Sequence, residues 1–224
     1  MPAIPGLIYA THSDSLYINL YASNHAKVHL ENQDIEVVQQ TNYPWEGTVS
    51  ITLNPEKKAE FTLKLRVPGW AQDQVIPGSL YAYTSNMNQP VQIFVNGQNE
   101  PATVNNGYIE IRRQWSRGDK VEMALPMTVR KVKASEAVLD DLNKIAFEYG
   151  PVVYCAETTD NPDLTSIRVS DKDSFTVSRK TILTDTVNVI TGKSYGQGSE
   201  ITLIPYYIWS NRGINSMMVW FPGK

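Results

Sequence analysis

Phe61-Thr62-Leu63-Lys64-Leu65-Arg66-Val67-Pro68-Gly69-Trp70 decides the fold, because apolar Phe61, Leu63, Leu65 and Val67 alternate with polar Thr62, Lys64 and Arg66. A period of two puts one set of side chains on each face of an extended ribbon, so the stretch reads as a half-buried strand. Pro68-Gly69 ends it, since proline has no N–H for a ladder and glycine allows a sharp change of direction, and Trp70 opens a new segment. Upstream, the runs 7–10, 16–22, 26–30, 35–41 and 48–53 carry the same kind of pattern, separated by polar or breaker-rich turns at 11–15, 32–34, 43–47 and 54–58. Every one of these connections suits antiparallel pairing.

Downstream, residues 71–90 are polar and rich in Pro, Gly, Ser and Asn, and read as a long surface loop with Tyr81 and Tyr83 as its large apolar anchors. Val91-Gln92-Ile93-Phe94-Val95-Asn96-Gly97 follows, where Asn-Gly signals a tight hairpin turn. Runs 107–113 and 120–130 complete about eight strands, the spacing of one β-sandwich. The polar stretch 135–142 is too short to hold a helix alone, and 134–143 is the longest break in strand pattern. Runs at 144–149, 152–156, 166–169, 174–177, 186–190, 201–207 and 217–221 then describe a second all-β lobe. The fold class is all-β: two antiparallel β-sandwich lobes, jelly-roll or Ig-like. The expected division is 1–133 for the first sandwich, 134–205 for a second that is inserted, and 206–224 for a terminal segment returning to the first. Met217-Met218-Val219-Trp220-Phe221 is apolar without alternation, which suits a strand buried on both faces. Val219 and Phe221 are therefore expected in the core of the first lobe.

A length of 224 residues is enough for two domains with real cores. Net charge is −3, with Lys and Arg scattered along strands, so neither nucleic acid nor an anionic membrane is an expected partner. A single cysteine excludes an internal disulfide and a thiolate zinc cluster. The N-terminus has no basic and apolar leader pattern, and no stretch reaches the ~18 apolar residues that span a bilayer. The expected localisation is soluble, in the cytoplasm or periplasm of a bacterium.

Several residues bear on chemistry. Cys155 lies in Val152-Val153-Tyr154-Cys155-Ala156 with no nearby base, the setting of a buried structural thiol. His25 and His29 would share a strand face about 13 Å apart and cannot chelate one metal together. Glu46, Glu110, Asp140, Asp141, Glu148 and Glu157 are the carboxylates available for acid and base work. Among them, Glu46 beside Trp45 and Glu148 between Phe147 and Tyr149 have apolar flanks of the kind that lift a pKa. The others read as solvated charge. The segment 205–213 offers Tyr206, Tyr207 and Trp209 with Asn211 and Arg212, the mixture of aromatic faces and donors that sugar platforms use. Packing in a core or between lobes is the competing reading. With Trp45 and Glu46, these five are the candidate carbohydrate or interface contacts.

Taken in order, Leu16-Tyr17-Ile18-Asn19-Leu20-Tyr21, Thr41-Asn42-Tyr43-Pro44-Trp45-Glu46-Gly47, the opening stretch, Val95-Asn96-Gly97, Trp115 with Gly118-Asp119, Leu125-Pro126-Met127, Tyr149-Gly150-Pro151-Val152-Val153-Tyr154 and 205–213 resemble the C-terminal part of glycoside hydrolase family 127, typified by β-L-arabinofuranosidases. The loop from Gln72 to Pro90 is longer than the family's usual pattern. The resemblance implies an (α/α)6 barrel that does the catalysis, followed by β-sandwich domains. It also implies that the cysteine nucleophile, the zinc-binding cysteines and glutamate, and the substrate histidines and tyrosine belong to that barrel, upstream of Ile4-Pro5-Gly6-Leu7-Ile8-Tyr9. No position here matches those motifs, so no catalytic, metal or cofactor role carries over. The chain is then expected to be a truncated product, a split subunit or a fragment. Its expected role is non-catalytic: bracing an upstream catalytic barrel or subunit, and helping to form a homodimer. A free-standing carbohydrate-binding module is the alternative. Ile4, Leu7, Ile8 and Tyr9 are expected to border the surface that the barrel would cover.

Overall fold

The computed structural model describes residues 4–31, 33–195 and 198–223. Residues 1–3 of the N-terminal stretch and Asn32 of the turn at 32–34 lie outside them. The chain forms two compact units, Met1–Gln72 with Gln89–Pro126, and Asp73–Asn88 with Met127–Lys224. Among the described residues the helical segments are 3-10 turns of three or four residues, and none is long and apolar enough to cross a membrane.

The strands in chain order begin with β1 (Tyr9–His12), β2 (Ser15–Ile18), β3 (Asn24–Leu30), β4 (Gln33–Thr41), β5 (Thr48–Pro55) and β6 (Ala59–Arg66). They continue with β7 (Tyr81–Tyr83), β8 (Gln92–Val95), β9 (Gln98–Glu100), β10 (Val104–Asn105), β11 (Tyr108–Trp115) and β12 (Asp119–Ala124). All of these except β7 belong to the first unit, in two antiparallel-rich sheets ordered β1-β2-β6-β11-β10 and β3-β4-β5-β12-β8-β9. The deciding stretch behaves as its alternation demands. Phe61, Leu63 and Leu65 of β6 are buried and register against Arg113, Ile111 and Ile109 of β11. Leu16, Ile18, Ile35, Val37, Val49, Ile51, Leu53, Val121 and Met123 fill the core from both sheets. Trp115 is wholly buried, and its indole N–H donates to Phe61 O at 3.0 Å, which removes the cost of burying a lone donor. Asn96 and Gly97 take positive φ of 51° and 79°, the geometry of the two-residue turn expected between β8 and β9.

One pairing departs from the antiparallel expectation. β2 runs parallel to β6, Leu16 beside Leu63 and Ile18 beside Leu65. Strands β3 to β5 intervene in the other sheet, a connection long enough to bring the chain back in the same direction.

The second unit adds β13 (Val129–Ala134), β14 (Lys144–Tyr149), β15 (Val152–Glu157), β16 (Phe175–Ile182), β17 (Asp185–Lys193), β18 (Glu200–Pro205), β19 (Met217–Met218) and β20 (Phe221–Pro222). With β7 they make a nine-stranded sheet whose main path is β16-β17-β18-β15-β14-β13-β7. The central strands of the sheet are buried on both faces. Tyr154, Ala156, Ile190 and Leu203 belong to one apolar cluster, while their chain neighbours Cys155, Val189 and Ile204 belong to another. In the hairpin β16–β17, Gly192 is obligatory, because a Cβ there would sit 2.4 Å from the Phe175 ring.

Three expectations about organisation are corrected. The loop at 71–90 contains β7, which pairs with β13 (Tyr83 beside Val132, Tyr81 beside Ala134), so the excursion runs from the first unit into the second. The boundary lies at 126/127 instead of 133/134, because β13 pairs with β14 and not with the first sandwich. The terminal segment does not return to the first unit: Phe221 pairs with Ile145 and Met218 with Ala156. The physical reason is local. Phe221 is fully buried in the cluster of Ile145, Phe147 and Tyr154, with its ring centroid 5.8 Å from that of Phe147, so the apolar end of the chain completes the second unit's core. Residues 166–169, expected as a strand, begin instead as a 3-10 turn (Leu164–Ser166) capped by the Asp163 carboxylate.

Candidate functional site

Pro205 closes β18, and its fixed φ of −55° leads into the 3-10 turn Tyr206–Ile208. Trp209 N–H donates to Tyr206 O at 3.2 Å, and the turning continues with Asn211 N–H to Ile208 O and Gly213 N–H to Ser210 O. Tyr206, Tyr207 and Trp209 stand 43%, 51% and 37% exposed.

What holds this loop is a buried carboxylate. Glu157, at the end of β15, is only 1% exposed. One oxygen accepts the Ser210 N–H and the other accepts from Arg212 Nη2 at 2.6 Å. Arg212 also reaches Asp160, whose second partner is Lys180 at 3.1 Å. Ser210 is held in the left-handed region (φ 65°), a conformation that a serine keeps only where its surroundings impose it. Thr158 and Ser216 close the base of the loop: Thr158 N–H donates to Ser216 O and Ser216 N–H to Thr158 Oγ1. Desolvation would lift the Asp160 carboxyl, but Arg212 and Lys180 outweigh it and hold the group below the usual carboxylate range. Arg212 is driven further toward its charged form, chiefly by its hydrogen bond to Asp160. The guanidinium therefore faces inward, and Asn211, an exposed neutral amide, is the donor that stays outward.

Trp45 and Glu46 lie in the first unit, in the turn between β4 and β5, where Trp45 is 47% exposed and Asn42 Nδ2 donates to Glu46 Oε2 at 3.2 Å. The seven candidate contacts are thus divided between two units, and only the five of residues 206–212 share one loop.

The other candidates have structural surroundings. Cys155 is fully buried among Val187, Val189 and Ile204, and burial, with Glu157 adding, pushes its thiol up to about 12. Burial raises the Glu148 pKa, but its flanks do not surround it: Phe147 and Tyr149 pack with the core cluster while Tyr83 O–H donates to the carboxylate at 2.6 Å. The Arg130 guanidinium lies 3.5 Å from the Tyr83 ring centroid and donates to Asp73 Oδ1 and Ser85 O, each at 2.7 Å, so this group pins the 73–88 excursion. His25 and His29 pair with separate carboxylates across β3–β4, Glu36 at 2.6 Å and Asp34 at 2.8 Å. Glu110 pairs with Lys64 at 3.0 Å, and the Asp140 carbonyl accepts from Lys144 Nζ at 2.6 Å. Among the described residues no three His, Cys, Asp or Glu gather as a metal site.

Glu157 is the residue sequence reasoning misplaced. It reads as solvated strand-edge charge, yet it is buried because Arg212, 55 positions away, neutralises it. Asp160 and Arg130 carried no signal at all, since each takes its meaning from a partner distant in the chain.

Two family models match the chain, one described as β-L-arabinofuranosidase, GH127 middle domain, over residues 15–127, and one as glycoside hydrolase family 127 C-terminal domain, over residues 129–222. The non-reducing end β-L-arabinofuranosidase of Bifidobacterium longum subsp. longum is 29% identical over an alignment covering 83% of this chain and 30% of its own length. A solved GH127 β-arabinofuranosidase superposes with a TM-score of 0.91 at 39% identity, covering 100% of this chain and 37% of its own. A GH127 β-L-arabinofuranosidase from Geobacillus stearothermophilus T6 gives 0.83 at 31% identity, covering 99% and 36%. The chain spans about a third of the length of these relatives.

Proposed function

The chain belongs to glycoside hydrolase family 127, of which it carries the middle and C-terminal domains, and from that premise we propose that it is a non-catalytic accessory part of a β-L-arabinofuranosidase-like enzyme. Its role is to brace a catalytic barrel supplied by the rest of the parent protein or by a separate subunit, and to take part in a homodimer.

The observation that carries this reading is the state of Cys155. A thiol enzyme of the kind the family resemblance implies needs a thiolate near neutral pH, in reach of substrate. The chain's single cysteine is wholly buried, with its thiol pushed up to about 12. At neutral pH it is protonated and enclosed. The exposed Ile4 and Leu7 at the start of the described chain, 46% and 61% accessible, support a covered N-terminal face in the parent.

The test is hydrolysis. The purified 224-residue chain, incubated with a β-L-arabinofuranoside, is expected to release arabinose no faster than a heat-inactivated sample. Release above that background would overturn the accessory reading, and its loss in Cys155→Ala would assign the activity to the thiol.

A further inference from the structure

Two turns of the first unit share the pair Asn-Gly and the same backbone, and only one of them is locked. Asn96-Gly97 joins β8 to β9, and Asn106-Gly107 joins β10 to β11. In both, the asparagine and the glycine take positive φ, 51° and 79° in the first, 50° and 83° in the second, which is the two-residue form that suits the twist of the strands. Both asparagines are exposed, and a Cβ built on either glycine would meet nothing within 4 Å, so each peptide stands open to solvent.

The side chains differ. Asn96 Nδ2 donates to Asp119 Oδ1 at 2.9 Å, its Oδ1 accepts the Lys120 N–H at 2.8 Å, and its own N–H donates to Lys120 O at 2.8 Å. Asp119 is itself held by the Ser116 N–H at 2.7 Å. Among the described residues the Asn106 side chain has no hydrogen-bond partner. Its strand β10 is two residues long and lies at the end of its sheet, paired with β11, whereas β8 runs between β12 and β9. A short edge strand opens locally at little cost.

The chemistry open to such a turn is intramolecular. An asparagine carboxamide followed by glycine can be attacked by the next backbone nitrogen, because glycine has no side chain to obstruct the approach. The Gly107 nitrogen gives its proton to solvent base and forms a bond to Asn106 Cγ, the Cγ–Nδ2 bond breaks, and the amide nitrogen takes up a proton and leaves as ammonia. Water then opens the cyclic succinimide at either carbonyl. Opening at Cγ leaves aspartate, while opening at the backbone carbonyl leaves isoaspartate, whose main chain runs through Cγ. The net change is carboxamide plus water to carboxylate plus ammonium.

We propose that Asn106 is a site of spontaneous deamidation in the folded protein, and that Asn96, with the same following residue, is protected by Asp119 and Lys120. The isoaspartate form adds a methylene to the main chain of a two-residue turn, and that turn sets the register of β10 on β11. Gly107 O also accepts the Val67 N–H at 2.8 Å, so the change is felt just past the end of β6.

Ageing the 224-residue chain at mildly alkaline pH, followed by peptide mass mapping and enzymatic methylation of isoaspartyl carboxyls, tests it. Conversion at Asn106 should outpace that at Asn96 by about tenfold or more, since two hydrogen bonds, one of them to a carboxylate, must open before Asn96 Cγ can be attacked. In denaturant the two rates should converge. The aged chain should gain negative charge and lose hydrogen-exchange protection at Val67, and Asn106→Gly, which keeps a residue that accepts positive φ, should abolish both changes. Asp119→Ala should raise the rate at Asn96 towards that at Asn106. Equal rates at the two asparagines in the folded chain would overturn the proposal, as would a difference that survives in denaturant, since sequence and not the fold would then set it. So would an Asn106 that stays intact while the denatured chain converts, since the turn itself would then protect it. None of these outcomes touches the hydrolysis assay, so the accessory reading stands or falls separately.

Discussion

The first unit keeps its ion pairs largely in solvent, and the second, which also has the exposed pair Lys133–Asp171, draws others inside. Lys27 with Asp34, Arg112 with Asp14 and Glu60, and Lys120 with Glu122 all sit on open sheet faces or edges of the first unit, where the core is filled by side chains from alternating strands. In the second unit Arg130, Arg212, Glu157 and Asp160 have side chains from 0% to 15% exposed, each tying a non-strand segment to the sheet. The difference reflects two ways to order a chain. Alternating strands specify their own partners through burial and register, whereas loops such as 73–88 and 206–216 have no periodic pattern and must be held by specific long-range bonds. Breaking a buried pair leaves an uncompensated charge, while breaking an exposed one costs little.

The largest effect expected from this contrast concerns where the chain ends. Phe221→Ala removes a fully buried ring from the second unit's core and should cost about 3–5 kcal/mol. Hydrogen exchange reads it by unit: amides of β14, β15 and β18 should lose protection, and those of β6 and β11 should keep it. Equal loss in β6 and β11 would return the terminal strand to the first unit.

That result would bear on what a sequence can show. β6, β11 and the Asn96-Gly97 turn were legible because each reports its own geometry: a period of two, or a residue pair that tolerates positive φ. The apolar run ending at Phe221 suggested one strand buried on both faces; it forms instead two short pieces, Met217–Met218 and Phe221–Pro222, of which Phe221 alone is buried, and nothing in it names the sheet that receives them. The parallel pairing of β2 with β6 was hidden for the same reason, since side-chain alternation is identical in both directions. In the candidate site, the aromatic residues at 206–209 were visible as composition. The hold on the loop that follows them was not, because it comes from Glu157, 49 positions before Tyr206 and buried where its own neighbours suggest solvent.

A somewhat smaller effect separates buried from exposed charge directly. Glu157→Ala should destabilise the second unit by about 2–4 kcal/mol, because Arg212 and the Ser210 N–H lose their acceptor inside the fold. Lys64→Met in the first unit, which breaks the Lys64–Glu110 pair across β6 and β11, should cost under about 1 kcal/mol. Denaturant midpoints of the two variants test the contrast, and equal losses would dissolve it.

The smallest effect is the response to acid. Asp160 has its carboxyl held down by Arg212 and Lys180 against the pull of desolvation, so its folded pKa lies below its unfolded one. Its stabilising contribution is then complete above the unfolded value of about 4 and fades as pH falls through the folded value. Glu148 works the other way: burial raises its folded pKa, so its contribution is present below about 4 and is lost as pH rises through the folded value. Acidification should therefore weaken the Asp160 anchor while it relieves Glu148. The two variants separate these terms. Asp160→Asn should flatten the acid side of the second unit's stability profile, and Glu148→Gln should steepen it, each moving the thermal midpoint between neutral pH and about pH 3 by a few degrees. Asp34, in the first unit, is also lowered, by Lys27 and His29, but it stands in solvent, where such pairs contribute little, so Asp34→Asn should leave the profile unchanged. A full acid slope surviving in Asp160→Asn would mean that the Arg212 anchor does not depend on that carboxylate, and that Glu157 alone holds the aromatic loop.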